Sequence, residues 1–333
     1  MRWPLIKYLP DKTNLKFTGP ARIFGAISVV AVIVSLFLAI YPGTPPCGGL
    51  NCGVDFKGGT VLDLSTPGTD VDLDQLRSLL ASEGMRDVQV QGYARPGEDA
   101  DTKHNANLRF ETPPGQNASQ AVERVKTKLR QIDPETTFSR TEVVGPKVSG
   151  QLFQKGVVAL LGAIVLMLLY IWFRFGLTFG IGAVCALFHD VILTFGMFAV
   201  FQLEFTLVGV AAVLTIIGYS MNDTVVVLDR IRENLRKYKR MPLGELIDLS
   251  INETFSRTVV TGITGLMALS VLAVFGGESL YAFSVAMIFG IIVGTYSSLF
   301  VAAPVLLLLG VRRGDDAEAI DLTKGTSVKP QRP

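Results

Sequence analysis

Six apolar runs, each long enough to cross a bilayer, constrain this chain more than any other feature. The first covers residues 23–41. At 1.5 Å per helical residue it is about 28 Å long, close to the thickness of a membrane's hydrocarbon core. The others cover approximately residues 156–173, 179–201, 206–228, 258–275 and 282–309. A mean hydropathy of +0.41 with 49% of its 333 residues hydrophobic, together with these long runs, puts the chain in the membrane class. The expected fold is a polytopic α-helical membrane protein with six transmembrane helices. The first run is too long for a usual signal-peptide core and reads as an uncleaved span.

The charges orient these spans. Residues 1–22 carry Arg2, Lys7, Lys12, Lys16 and Arg22 against Asp11. Arg230, Arg232, Arg236, Lys237, Lys239 and Arg240 fall in residues 229–257, and Arg312 and Arg313 follow the last run. The connections 202–205 and 276–281 hold no Lys or Arg. Because basic residues stay on the cytoplasmic side, both termini are expected there. The expected division is a cytoplasmic segment 1–22, a span 23–41, and a periplasmic α+β domain 42–152. A five-helix region 153–309, with a cytoplasmic loop at about 229–257, and a cytoplasmic tail 310–333 complete it. The net charge of +2 gives no sign of a nucleic-acid partner. Membrane lipid is the expected surroundings.

The polar segment between the first two spans has its own patterns. Residues 54–64, 87–95, 107–111 and 137–144 read as strands, and 71–83 and 116–132 as helices. Asp70 or Asp72 can cap the first helix, and Pro134 stops the second. The order β-α-β-β-α-β predicts a ferredoxin-like outer domain inserted between helices 1 and 2. Cys47 and Cys52 stand just before it. On an oxidising side they can form a small-loop disulfide, while two free thiols remain the other reading. Cys185, in an apolar run, reads as a small packing residue. No zinc spacing, phosphate loop or catalytic triad is found, so no metal, cofactor or enzymatic activity is expected.

Four ionisable residues lie in or at the edge of spans: His189, Asp190, Asp223 and Arg257. An acid inside a span is costly, and it is either a functional group or helix glue. Burial favours the neutral form of a carboxylate and a neighbouring guanidinium favours the ionised form. A carboxylate moved between those settings takes up and releases a proton. Asp223 and Arg257 sit toward the same end of two antiparallel spans and can meet. Alternatively Arg257 snorkels to the interface beside Glu253. His189-Asp190 is either a second relay element or a pair that fixes the bundle. The step Gly290-x-x-x-Gly294 and the pairs Gly262/Gly265 and Gly180/Gly182 read as generic helix packing.

Several motifs converge. Gly53-Val54-Asp55-Phe56-Lys57-Gly58-Gly59-Thr60 opens the outer segment. Val144-Gly145-Pro146-Lys147-Val148-Ser149-Gly150 closes it. Gly218-Tyr219-Ser220-Met221-Asn222-Asp223-Thr224 leads into Asp229-Arg230-Ile231-Arg232-Glu233-Asn234. With His189-Asp190 and Phe255-Ser256-Arg257-Thr258, these resemble the SecF family, from the first span to about residue 309. Cys47 and Cys52 are not part of the family pattern. The resemblance implies a multi-pass protein of the bacterial inner membrane, half of a twelve-span unit of the resistance-nodulation-division type completed by SecD. That unit uses the proton gradient to assist protein export. SecY, SecE, SecG and YajC are the implied partners, with SecA and the exported polypeptide as further ones. Asp223 and Arg257 correspond to positions implicated in proton passage. A half-sized small-molecule exporter and a scaffold without its own relay are the alternatives.

Overall fold

The computed structural model describes residues 14–43, 47–66, 71–93, 104–113 and 116–311. Arg2, Lys7, Asp11, Lys12, Asp70, Arg312 and Arg313 lie outside the described residues, as does most of the tail.

Helix α1 (Ala21–Ile40) is apolar throughout and turns most of its surface outward, with Ile23, Ile33 and Phe37 all exposed. It is entered from a segment tied to a distant helix. Asp248 Oδ1 accepts from the Phe17 and Thr18 amides at 2.9 and 2.8 Å. Asn252 exchanges hydrogen bonds with both backbone groups of Leu15.

The outer segment follows. It contains α2 (Val54–Lys57), β1 (Gly59–Ser65), α3 (Leu73–Ser82) and β2 (Arg86–Tyr93), then β3 (Asn105–Glu111), α4 (Ala118–Ile132) and β4 (Thr137–Val144). The strands form one sheet in the order β2-β3-β1-β4, antiparallel at each junction. Alternation along β1 and β3 sends Leu62, Leu64, Ala106, Leu108 and Phe110 to one face. There they meet Leu76, Leu79 and Leu80 of α3 and Ala121, Val122, Val125 and Leu129 of α4. This core is separate from that of the membrane helices. Asp72 caps α3 by accepting from the amides of Asp74 and Gln75. Asn117 does the same for α4, which starts it two residues later than its apolar pattern suggests.

The expected strand at 54–64 is half wrong. Val54–Lys57 is a helical turn, ended by Gly58 at φ 81° and Gly59 at φ 113°, conformations that glycine adopts without a Cβ clash. The strand begins only after them.

Beyond the sheet, α5 runs from Pro146 to Phe201 and is interrupted at Gly176, with φ 71° and ψ −176°. At 1.5 Å per residue its 56 residues reach about 84 Å, enough to cross a bilayer twice. Then come α6 (Leu207–Lys237), α7 (Leu243–Phe275) and α8 (Glu278–Ser297). A π-helical turn (Ser298–Ala302) joins α8 to α9 (Ala303–Leu309). Among the described residues, five helices are long and apolar enough to cross a membrane. The segment expected as a loop at about 229–257 is helical apart from residues 238–242. Apart from Lys239 and Arg240, its charges sit on helix ends that still pack. Ile231 and Leu235 of α6 are buried with Leu246, Ile247 and Ile251 of α7, and Asn234 donates to Ser250 at 3.0 Å.

More than half of the apolar stretch of α6 is buried, 56% against 6% for α1. That makes α6, with α8 beside it, the centre of the bundle.

Candidate functional site

The bundle's buried polar groups gather where α5, α6 and α8 meet. Asp190 lies on the second half of α5 and is 1% exposed. Its Oδ1 is 2.9 Å from Nδ1 of His189. Its Oδ2 accepts from Ser297 of α8 at 2.8 Å and from Ser220 of α6. Both carboxylate oxygens are therefore engaged, by three helices. Thr194, one turn on, returns its hydroxyl to the Asp190 carbonyl at 2.7 Å. The His189 ring stacks on Tyr296 with centroids 5.9 Å apart, and its buried Nε2 has no hydrogen-bond partner among the described residues. Tyr296 donates in turn to the Phe24 carbonyl of α1 at 2.8 Å, with Ser28 Oγ at the same distance from its hydroxyl.

Close approach of the helices makes this possible. A Cβ built at Gly290 would stand 2.4 Å from Ile216, and one at Gly294 would stand 2.9 Å from Ser220 Cβ. The Gly-x-x-x-Gly step expected to be generic packing is thus what lets α8 bring Ser297 to Asp190.

Asp223 lies one turn along α6 from Ser220 and is 3% exposed. Among the described residues its carboxylate takes part in no ion pair. Arg257 of α7 is the cation that acts on it through space, but Arg257 is exposed. The pairing of the two read from the sequence is not made in this state, and neither is the pairing of Arg257 with Glu253. Glu253 instead takes Arg230 Nε and Asn234 Nδ2, both at 2.7 Å. Those hydrogen bonds outweigh the burial that would raise its pKa and hold Glu253 below the usual carboxylate range. Beside Asp223, Tyr219 donates across to the Thr261 carbonyl of α7 at 2.9 Å, and Thr224 meets Ser298 at 3.3 Å.

The motif residues divide into groups. Ser220 joins the buried cluster, while Gly218 and Asn222 lie on an exposed face of α6. Gly145 and Pro146 start α5. Phe56 is buried between Phe153 and Phe205, each 5.7 Å away by ring centroid. Asp55 accepts from the Leu207 amide at 2.9 Å, at the first turn of α6. Gly53 donates to the Phe205 carbonyl at 3.0 Å. Gly58 and Gly59 make the turn into β1. Cys47 and Cys52 are joined as a disulfide with Cα atoms 6.2 Å apart. Cys185, expected as a packing residue, is exposed on the helix surface. Ser297, Tyr296 and Ser298 escaped the sequence reading. Four consecutive hydroxyls, Thr295 to Ser298, inside an apolar span were the signal available. Among the described residues no group of His, Cys, Asp and Glu could hold a metal ion.

A second polar cluster lies on the open face of the outer sheet. Arg140 grips Glu142 through Nε and Nη2 at 2.9 and 2.8 Å, and Asn107 donates to Asp63 at 2.5 Å. Burial pushes the Asp63 carboxyl above its ordinary range, with the Asn107 hydrogen bond and Arg140 offsetting only part.

A helical membrane bundle with an inserted α+β segment and a buried acid cluster at its centre defines a polytopic membrane protein. The family described as protein export membrane protein SecD/SecF, C-terminal, matches residues 124–312. SecF protein translocase subunits of Cereibacter sphaeroides and Rhodobacter capsulatus are 42% and 44% identical, over 314 and 320 residues. Each alignment covers 93% of this chain, and 94% and 93% of those relatives. The crystal structure of SecDF from Thermus thermophilus superimposes with a TM-score of 0.77 at 32% identity, covering 92% of this chain and 40% of that one. The chain belongs to the SecD/SecF family of protein-export membrane proteins, and its role is that of a Sec-associated protein translocase subunit.

Proposed function

We propose that this chain is the SecF-type half of a proton-driven complex of the bacterial inner membrane. It crosses six times, with α5 supplying two spans on either side of Gly176. Both termini are cytoplasmic. The β2-β3-β1-β4 sheet with its two helices is a ferredoxin-like domain in the periplasm, where the Cys47–Cys52 disulfide forms. A SecD-type partner completes the twelve-span unit and covers the outward face of α6 that carries Gly218 and Asn222. The unit works beside the SecY, SecE and SecG channel, with YajC, SecA and the exported polypeptide as further contacts.

One observation carries the relay reading. Asp223 is nearly fully buried within a span yet, among the described residues, in no ion pair, whereas Asp190 has both carboxylate oxygens engaged. Asp223 is therefore the group free to exchange a proton, and His189-Asp190 is the fixed frame beside it. Asp223 alternates between a protonated state and an ionised state stabilised by Arg257. A charge crossing 100 mV gains about 2.3 kcal/mol, so a proton does work only when the site opens to each side in turn. Proton flux into vesicles containing this chain and its SecD-type partner tests this. The wild type is expected to conduct under an imposed gradient and Asp223→Asn is not. Equal flux would make Asp223 helix glue.

A further inference from the structure

The connection between α5 and α6 does more than turn the chain. Residues 202–206 carry Glu204, whose Oε2 is 2.8 Å from Arg109 Nη2 of β3 and 3.8 Å from Arg140 Nη1 of β4. These strands flank β1 on either side, so one carboxylate from the membrane region bridges the open face of the sheet. Side-chain exposures of 18% for Glu204, 20% for Arg109 and 16% for Arg140 mean that water screens the contact only weakly. Gly53 leaves room for Glu204, since a Cβ there would fall 2.5 Å from its Oε1. Among the described residues, these are the ion pairs that join the outer segment to the membrane helices.

The same connection is stitched to the base of the outer segment. Phe205 donates to the Asn51 carbonyl at 2.8 Å, and Gly53 donates to that of Phe205 at 3.0 Å. One residue later Thr206 caps α6. From there an unbroken helix leads to Asp223, roughly 24 Å away at 1.5 Å per residue.

We infer that Glu204 is a coupling residue: clamped between Arg109 and Arg140, it makes the outer sheet follow the outer end of α6. The backbone stitches fix only the base of the outer segment. The clamp fixes the orientation of the sheet, so a tilt or axial shift of α6 becomes a displacement of the domain. The inference rests on the proton-driven reading for its purpose, but the clamp can be tested apart from it.

Two readouts are compared in the full chain assembled with its partner. In the first, proton flux and gradient-dependent export are measured side by side. Glu204→Gln keeps the shape and loses the charge. It is expected to leave flux within about twofold of wild type while export falls about tenfold, in the usual range of coupling energies. The exchange Glu204→Arg with Arg109→Glu, made together with Arg140→Gln to remove the like charge otherwise left 3.8 Å away, restores the closer pair and is expected to recover export. In the second, spin labels at Gln131 and Leu280 report the distance from outer domain to helix end. A narrow distribution is expected for wild type and the exchange, and a broad one for Glu204→Gln. Full export by Glu204→Gln, or parallel loss of flux and export, overturns the coupling role. An unchanged distance distribution overturns the clamp even where no protons flow. Absence of flux in the wild type strikes at the proton-driven reading alone.

Discussion

Gly294 of α8 and Ser220 of α6 touch so closely that a Cβ on the glycine would sit 2.9 Å from the serine Cβ. The contact sets the reach of Ser297 to Asp190 three residues later. Gly294→Ala forces the helices apart, and overpacking of this kind costs about 1–3 kcal/mol. Gly218→Ala is the control, because nothing lies within 4 Å of a Cβ there. It should be neutral or stabilise by up to about 1 kcal/mol through helix propensity. Thermal unfolding of both variants in detergent checks this, with a lower midpoint expected for Gly294→Ala only.

The outer segment has its own core and should fold alone. A fragment of residues 53–144 is expected to show mixed helix and strand by circular dichroism and a cooperative melt. In the full chain, where Glu204 still faces Arg109 and Arg140, Asp63→Asn gives a pH signature. A carboxyl whose folded pKa is raised contributes stability below its ordinary value, lost as pH rises through the folded pKa. Ionised Asp63 therefore costs stability at neutral pH. Asp63→Asn should melt higher than wild type at pH 7, and the gap should close on acidification below about pH 4. A gap that widens in acid would show that the Asn107 and Arg140 contacts outweigh the desolvation.

Topology is checked by cysteine labelling at Lys237 and Glu135, in a Cys185→Ser background. Position 237 should react from the cytoplasmic side and position 135 from outside. Labelling of position 135 from the cytoplasm alone would overturn the six-span arrangement.

At the proposed relay, graded substitutions should give graded export. Asp223→Asn should reduce gradient-dependent export to background while assembly with the partner persists. Asp223→Glu keeps a titratable group one methylene out of place and should be intermediate. Arg257→Lys keeps the charge without the planar fork, and a loss of about tenfold, 1.4 kcal/mol, is expected. Wild-type export by Arg257→Lys would show that only charge at position 257 matters.

The sequence yielded the order of the outer segment, because alternation along β1 and β3 and the apolar stripes on α3 and α4 are local patterns. It misled where tertiary contacts decide. Val54 and Phe56 alternate like a strand. Yet the turn there is helical, with Asp55 holding the Leu207 amide and Phe56 packed on Phe205. The run from Asp229 to Arg257 looked like a loop because charge density was read as water. Instead the two helices continue through it and pack on each other through Ile231, Leu235, Leu246, Ile247 and Ile251, with Asn234 bonded to Ser250. Asp190 and Asp223 were legible as costly acids in spans. Which of them is satisfied was not, since that depends on hydroxyls of Ser220 and Ser297 brought together from two helices. The unpaired state of Asp223 and the exposure of Arg257 likewise depend on the packing angle of α7, which no local pattern encodes.

The hydrogen bonds from Thr18 to Asp248 join positions 230 residues apart. At roughly 5–20 residues per second of synthesis, on the order of 10–50 s separate the emergence of the two partners. During that interval α1 lacks its tether to α7, and Phe17 lacks its eventual neighbours Phe255 and Phe300. Biogenesis of the subunit is therefore closed from the far end. The amino-terminal anchor is inserted first and locked late, and a nascent chain halted before Asp248 is left with an unclasped bundle.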